Sequence, residues 1–193
     1  MTRTEALPRP AGGSAAGPRR PLASVVIPAH NEARVIGRLL RRLATGVAPG
    51  DLEIVVVCNG CTDDTAAVAR AVSGVRVIEV PDPGKANAVR VGGLACGAYP
   101  RAHVDADVEV SGGDLLRLAA EVRSGDVLAA APRRVLPTAG SSWPVRAYYR
   151  VWQDLPQVRT GLFGRGVIVL SAAGQARVDA LPDVLSDDLA ISE

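Results

Sequence analysis

The sequence predicts an α/β fold built on a mostly parallel sheet with helices on both faces. Three observations carry this. From Leu22 to about Ala131, short apolar runs alternate with stretches of helical spacing, the alternation of a doubly wound sheet. The runs are rich in Val, Ile and Leu, as strands buried on both faces require. Aromatic residues make up only 3% of the chain, which argues against a sandwich held by aromatic cross-strand pairs.

Taken in order, residues 1–20 are Pro, Gly, Ala, Arg and Ser without periodicity and read as a disordered tail. The domain is expected over 21–193. Ala23–Ile27 is the first strand, closed by Pro28. Arg34–Leu43 places Val35, Ile36, Leu39, Leu40 and Leu43 at helical spacing, with Asn31 as the cap and Glu32 favouring the dipole. Leu52–Val57 is a second strand. Thr62 caps a helix over Ala66–Val72, with Asp63 and Asp64 in its first turn. Val75–Val80 is a third strand and Gly84–Ala98 a third helix. Ala102–Val104 is a fourth strand, followed by a helix capped by Ser111. Val127–Ala131 is a fifth strand. Five strands alternating with four helices imply a parallel, doubly wound sheet. Beyond them lie a loop over Pro132–Gly140, a helix over Pro144–Trp152, a strand over Val167–Leu170 and a short helix over Ala172–Val178.

A chain of 193 residues suits one domain. With 22 basic and 20 acidic residues, the overall balance gives no case for nucleic acid as the main partner. Three cysteines are no disulfide framework, and no run reaches the roughly 18 apolar residues of a transmembrane segment. Arg19-Arg20 raises a twin-arginine export signal, but Pro21–Ile27 is too short for its apolar region. A cytoplasmic location is the expectation.

No strand leads into G-x-G-x-x-G, and no P-loop is present. Cys58-Asn59-Gly60-Cys61 is a C-x-x-C between strand and helix, the thioredoxin context. Asp63 and Asp64 would oppose a thiolate there. A zinc set of Cys58, Cys61, Cys96 and His103 contains only one such pair. Asn59 has an amide that suits a base edge. Lys85, the only lysine, opens a helix, the wrong end for a cation, and Gly84 beside it admits a ligand, so an anion is expected there. Asp105-Ala106-Asp107 follows a strand, where hard oxygen ligands could hold a divalent cation together with substrate phosphates. Ser186-Asp187-Asp188 reads alone as a helix start.

In order, the motifs are Pro28-Ala29-His30-Asn31-Glu32, Asn59-Gly60-Cys61-Thr62-Asp63-Asp64, Gly84-Lys85-Ala86-Asn87, Asp105-Ala106-Asp107 and Asp187-Asp188. The set resembles the family 2 glycosyltransferases, inverting enzymes of the Rossmann-like GT-A (nucleotide-diphospho-sugar transferase) fold, from about Leu22 to the C-terminus.

The resemblance implies a nucleoside diphosphate sugar donor, an acceptor hydroxyl, and Mg²⁺ or Mn²⁺. Pro28, Ala29, Asn31 and Glu32 would line the nucleoside pocket. Asn59 stands where many members carry a base-pairing Asp, which leaves the base open. Lys85 would lie near base and diphosphate. Asp107 would bind metal, with Asp105 on ribose or the metal shell and Ala106 between them. Asp188 would be the general base and Asp187, where the family has Glu, its neighbour. The family's Q-x-x-R-W continuation does not follow. The resemblance then implies a minimal acceptor side, a partner subunit supplying it, or a truncated chain. A non-catalytic nucleotide-sugar-binding module is the rival reading. A sugar nucleotidyltransferase would need a Gly-rich basic loop after the first strand, and Pro28–Glu32 has none.

Overall fold

A computed structural model describes residues 20–133, 135, 140–154 and 165–180. The elements in order are β1 (Ala23–Ala29), α1 (Ile36–Leu43), β2 (Leu52–Asn59), α2 (Thr65–Arg70), β3 (Val75–Val80), α3 (Lys85–Ala95), β4 (Arg101–Val104), α4 (Gly112–Arg123), β5 (Ala129–Ala130), α5 (Trp143–Gln153), β6 (Val167–Leu170) and α6 (Ala172–Asp179). The tail expected over 1–20 lies, apart from Arg20, outside the described residues. Among those residues no helix is long and apolar enough to cross a membrane.

The six strands form one sheet in the order β3-β2-β1-β4-β6-β5. β1 sits at its centre, buried along its whole length, and pairs in parallel with β2 and β4. Residues alternate between the two faces. Val25, Ile27 and Ala29 enter the main core beside Ile36, Leu39 and Leu40 of α1 and Leu115 and Ala119 of α4. Val55 and Val57 point to the other face, under Ala88 of α3. There Gly92 lets α3 lie close, because a Cβ at that position would stand 2.5 Å from Val26 Cγ1.

One expectation is corrected here. β1 does not stop at Pro28 but runs to Ala29. Ser24 donates its N–H toward β4, at Pro100, so strand alternation aims the proline nitrogen to that side too. The β1–β4 ladder ends at Val26, and the missing donor leaves no rung open. The sheet is mostly parallel, as expected. β6 runs antiparallel between β4 and β5. Its four residues are all buried, whereas β5 is two half-buried alanines at the edge. A continuously apolar run is right for a central strand but does not encode its direction or its neighbours.

The helix starts differ from expectation as well. Ser111 caps α4 as expected, accepting from Asp114 N. Asn31 does not cap α1, which begins after Val35, and Thr62 does not cap α2, whose N-cap is Asp64. The N–H groups ahead of α1 are satisfied from the neighbouring loop. Thr65 Oγ1 accepts from Glu32 N at 2.8 Å and Asp63 Oδ2 from Ala33 N at 3.1 Å. Capping across two loops fixes one against the other, which capping within a helix would not do.

Candidate active site

The loops after β1, β2 and β3 meet at the C-terminal edge of the sheet, where open α/β sheets bind ligands. Asn59, only 4% exposed, joins all three. Its Nδ2 donates to Ala29 O at 2.9 Å and its Oδ1 accepts from Gly84 N at 3.0 Å. Its carbonyl accepts from His30 Nδ1 at 2.6 Å. Asn31 has φ +56°, a left-handed conformation Asn tolerates. Its Oδ1 accepts from Thr62 N at 2.8 Å. Gly60, at φ +59°, leaves no room for a side chain: a Cβ would lie 2.8 Å from Pro83 N.

These loops and the end of β4 enclose a cleft of about 440 Å³ lined by Pro28, His30, Glu32, Asn59, Pro83, Gly84, Lys85, Asp105, Ala106 and Asp107. Lys85 Nζ lies 2.8 Å from Asp105 Oδ1. Asp107 is exposed at the mouth. From α1, Arg38 reaches the loop that carries it, with Nη2 3.4 Å from Asp107 O and Nε 3.4 Å from Glu109 Oε1. Asp105 N donates to Gly166 O at 2.8 Å, which ties the same loop to the start of β6.

The mouth is acidic. Burial first, then the charges of Asp107, Asp63 and Asp105, raise the Glu32 pKa above the usual carboxylate value, with His30 opposing. Among the described residues no group of three or more His, Cys, Asp or Glu is placed to hold a metal ion. The donor set is therefore two carboxylates at an open mouth. It fits a hard cation that takes its remaining ligands from phosphate and water, and not a closed protein cage.

Several expected site residues sit elsewhere. Ala29 is 1% exposed and packs in the core, and Asn31 serves as a staple between loops; neither lines the cleft. His30, Pro83 and Gly84 do line it. Strand alternation is the signal for His30, since Pro28 and His30 fall on the face opposite Ala29. Asp187 and Asp188 lie outside the described residues. Cys58 is a core residue whose thiol pKa is pushed up to about 12, by burial first and then by Cys61 and Glu79. Asp63 and Asp64 are not the cause that the sequence suggested. Cys61 bridges the loops, donating to Ala29 O and accepting from Asn31 N. Cys96 packs beyond the sheet from Cys58, so the zinc set does not assemble.

The sequence profile of glycosyl transferase family 2 matches residues 24–175. An uncharacterized glycosyltransferase of Mycobacterium tuberculosis is 39% identical over 121 residues, 63% of this chain and 52% of the relative. The 4,4'-diaponeurosporenoate glycosyltransferase of Staphylococcus aureus is 37% identical over 91 residues, 44% of this chain and 24% of that protein. This chain thus spans about half or less of the length of these curated relatives. Among solved structures, the Pyrobaculum calidifontis mannosyltransferase in complex with GDP-Man and Mn²⁺ superposes with a TM-score of 0.67 at 23% identity, over 89% of this chain and 50% of that one. Glucosyl-3-phosphoglycerate synthase of M. tuberculosis, in complex with Mn²⁺, UDP and glucosyl-3-phosphoglycerate, gives 0.59 at 23% identity, over 89% and 63%. At these identities the structural likeness is one of fold, the GT-A fold. On the extent of the profile match, this chain belongs to glycosyl transferase family 2.

Proposed function

We propose that this protein moves a sugar from a nucleoside diphosphate sugar to an acceptor hydroxyl, with inversion at the anomeric carbon. The observation that carries the proposal is the Lys85–Asp105 ion pair across a cleft at the strand ends, with Asp107 exposed beside it. A half-exposed lysine at a helix N-terminus, ion-paired to a neighbouring carboxylate, can exchange that partner for a diphosphate.

In this reading Pro28, His30 and Glu32 form the nucleoside wall. Asn59 shapes the floor, and its second amide hydrogen can still meet a base edge. Gly84 and Lys85 meet the diphosphate, and the backbone at Ala106 approaches the ribose. Asp107 and Asp105 would hold Mg²⁺ or Mn²⁺. When bound, the cation would neutralise charge on the departing diphosphate. Arg38 holds the backbone of this loop. Asp188 would take the proton from the acceptor hydroxyl as its oxygen attacks from the face opposite the leaving group, with Asp187 orienting it. One displacement inverts the centre, the geometry familiar from inverting glycoside hydrolysis.

Turnover of UDP-, GDP- and dTDP-sugars with and without Mn²⁺ tests this, followed by proton NMR of the product anomer. Metal-dependent release of nucleoside diphosphate with an inverted product is expected. Donor binding without any turnover would favour the binding-module reading, and a retained anomer would refute the single displacement.

A further inference from the structure

The chain's aromatic residues are few and unevenly placed. Four of the six, Trp143, Tyr148, Tyr149 and Trp152, fall within α5. Among the described residues the helix belongs to neither apolar core; Trp143 is 73% exposed, Tyr148 62% and Val151 69%, while Tyr149 and Trp152 are half-buried. At 100° per residue, Val145, Tyr148, Val151 and Trp152 share one face, while Arg146 and Arg150 occupy the other. The aromatic rings touch edge to face along the helix, Tyr148 with Tyr149 and Tyr149 with Trp152.

Charge is uneven as well. Between Val127 and Leu170 the sequence carries six arginines and one acid, Asp154, although the whole chain is near balance at +2. The remainder is therefore net acidic. Local basic character joined to an exposed face of Tyr and Val is the composition of a helix that lies in a membrane interface. There the rings sit at headgroup depth with their polar ends wet, and the arginines meet lipid phosphates. A second copy of this chain would bring like charge against like.

We infer that α5 docks this protein onto an anionic lipid surface, with Val145, Tyr148 and Val151 entering the headgroup region and Arg146 and Arg150 supplying the charge attraction. The docking is peripheral, since an 11-residue helix is too short to span. The inference does not depend on the sugar-transfer reading and is tested without donor or acceptor.

Both tryptophans of the chain lie in α5, so intrinsic tryptophan emission reports on this helix alone. Vesicles of phosphatidylcholine with about 30% phosphatidylglycerol should shift the emission to the blue and carry the protein down on centrifugation, whereas pure phosphatidylcholine should do neither. Arg146→Glu with Arg150→Glu should weaken binding by about tenfold or more, as should Tyr148→Asp with Val151→Asp. Circular dichroism reports whether each variant folds, and added salt should release the native protein if a variant does not. Failure of the native protein to bind anionic vesicles would overturn the inference, as would equal binding to neutral ones. A blue shift that tracks protein concentration without lipid, with a doubled mass, would assign the face to a second copy. Release of the protein from vesicles by single-stranded RNA at lower concentration than by free phosphatidylglycerol micelles would assign it to nucleic acid.

Discussion

Lys85 Nζ and Asp105 Oδ1 stand 2.8 Å apart, joining the first residue of α3 to the residue after β4. Their side chains are 50% and 34% exposed. An ion pair this open contributes roughly 0–1 kcal/mol to folding. Lys85→Ala should therefore leave thermal stability almost unchanged. It should weaken nucleoside diphosphate binding by roughly tenfold or more, the scale of a lost hydrogen bond to a charged group, and spare the nucleoside. Equal loss for both ligands in parallel titrations would place Lys85 away from the phosphates.

Asn59 has the opposite character. Its amide is buried and bonded to Ala29 O and Gly84 N. Asn59→Asp keeps the acceptor but removes the donor and sets a carboxylate against the Ala29 carbonyl. A loss of about 1–3 kcal/mol in urea unfolding is expected. Unchanged stability would mean the amide is not holding the three loops together.

The Cys58 thiol, pushed up to about 12 by burial, is expected to resist a thiol reagent near pH 8 until the protein unfolds. The unfolded thiol ionises near its ordinary value of about 8.5, so above that pH the unfolded state loses a proton that the folded state keeps. Stability should be unaffected by this group below pH 8.5 and fall as pH rises from there toward about 12. Cys58→Ala should flatten that alkaline slope while leaving donor binding intact. Rapid labelling of Cys58 in folded protein would contradict its burial.

Some of this was legible in the sequence. The pattern predicts β3 and β6 to the residue, and Ser111 caps α4 as read. Clear punctuation explains β3, which lies between Gly74 and Pro81. The placement of β6 between β4 and β5 was not legible, because pairing partners are a property of the folded sheet and an apolar run reads alike in either direction. The cleft was legible as motifs at strand ends. The division of labour within Pro28–Glu32 needed the strand alternation that sends Ala29 to the core and His30 to the cleft. Asn59 and Asn31 read from sequence as a base reader and a helix cap. In the fold both carry loop-to-loop hydrogen bonds, whose partners lie 25 or more residues away in the chain.

Asp188 carries the proposed proton transfer. Asp188→Asn keeps size and most hydrogen bonding but cannot accept the proton. Turnover should fall by about 10²–10⁴-fold with donor affinity little changed, and Asp187→Asn should cost less. An Asp188→Asn variant that folds, binds donor and transfers at the native rate would refute the assignment.

The central claim is that Asp107 lets a divalent cation join protein and donor at the mouth of the cleft. Calorimetric titration of native protein and Asp107→Ala with a nucleoside diphosphate, each with and without Mn²⁺, tests it most directly. Asp107 is exposed and bears no core contact, so the variant should fold. Mn²⁺ should strengthen binding to the native protein by roughly tenfold or more and leave binding to Asp107→Ala unchanged. The same Mn²⁺ enhancement in both proteins would contradict the claim.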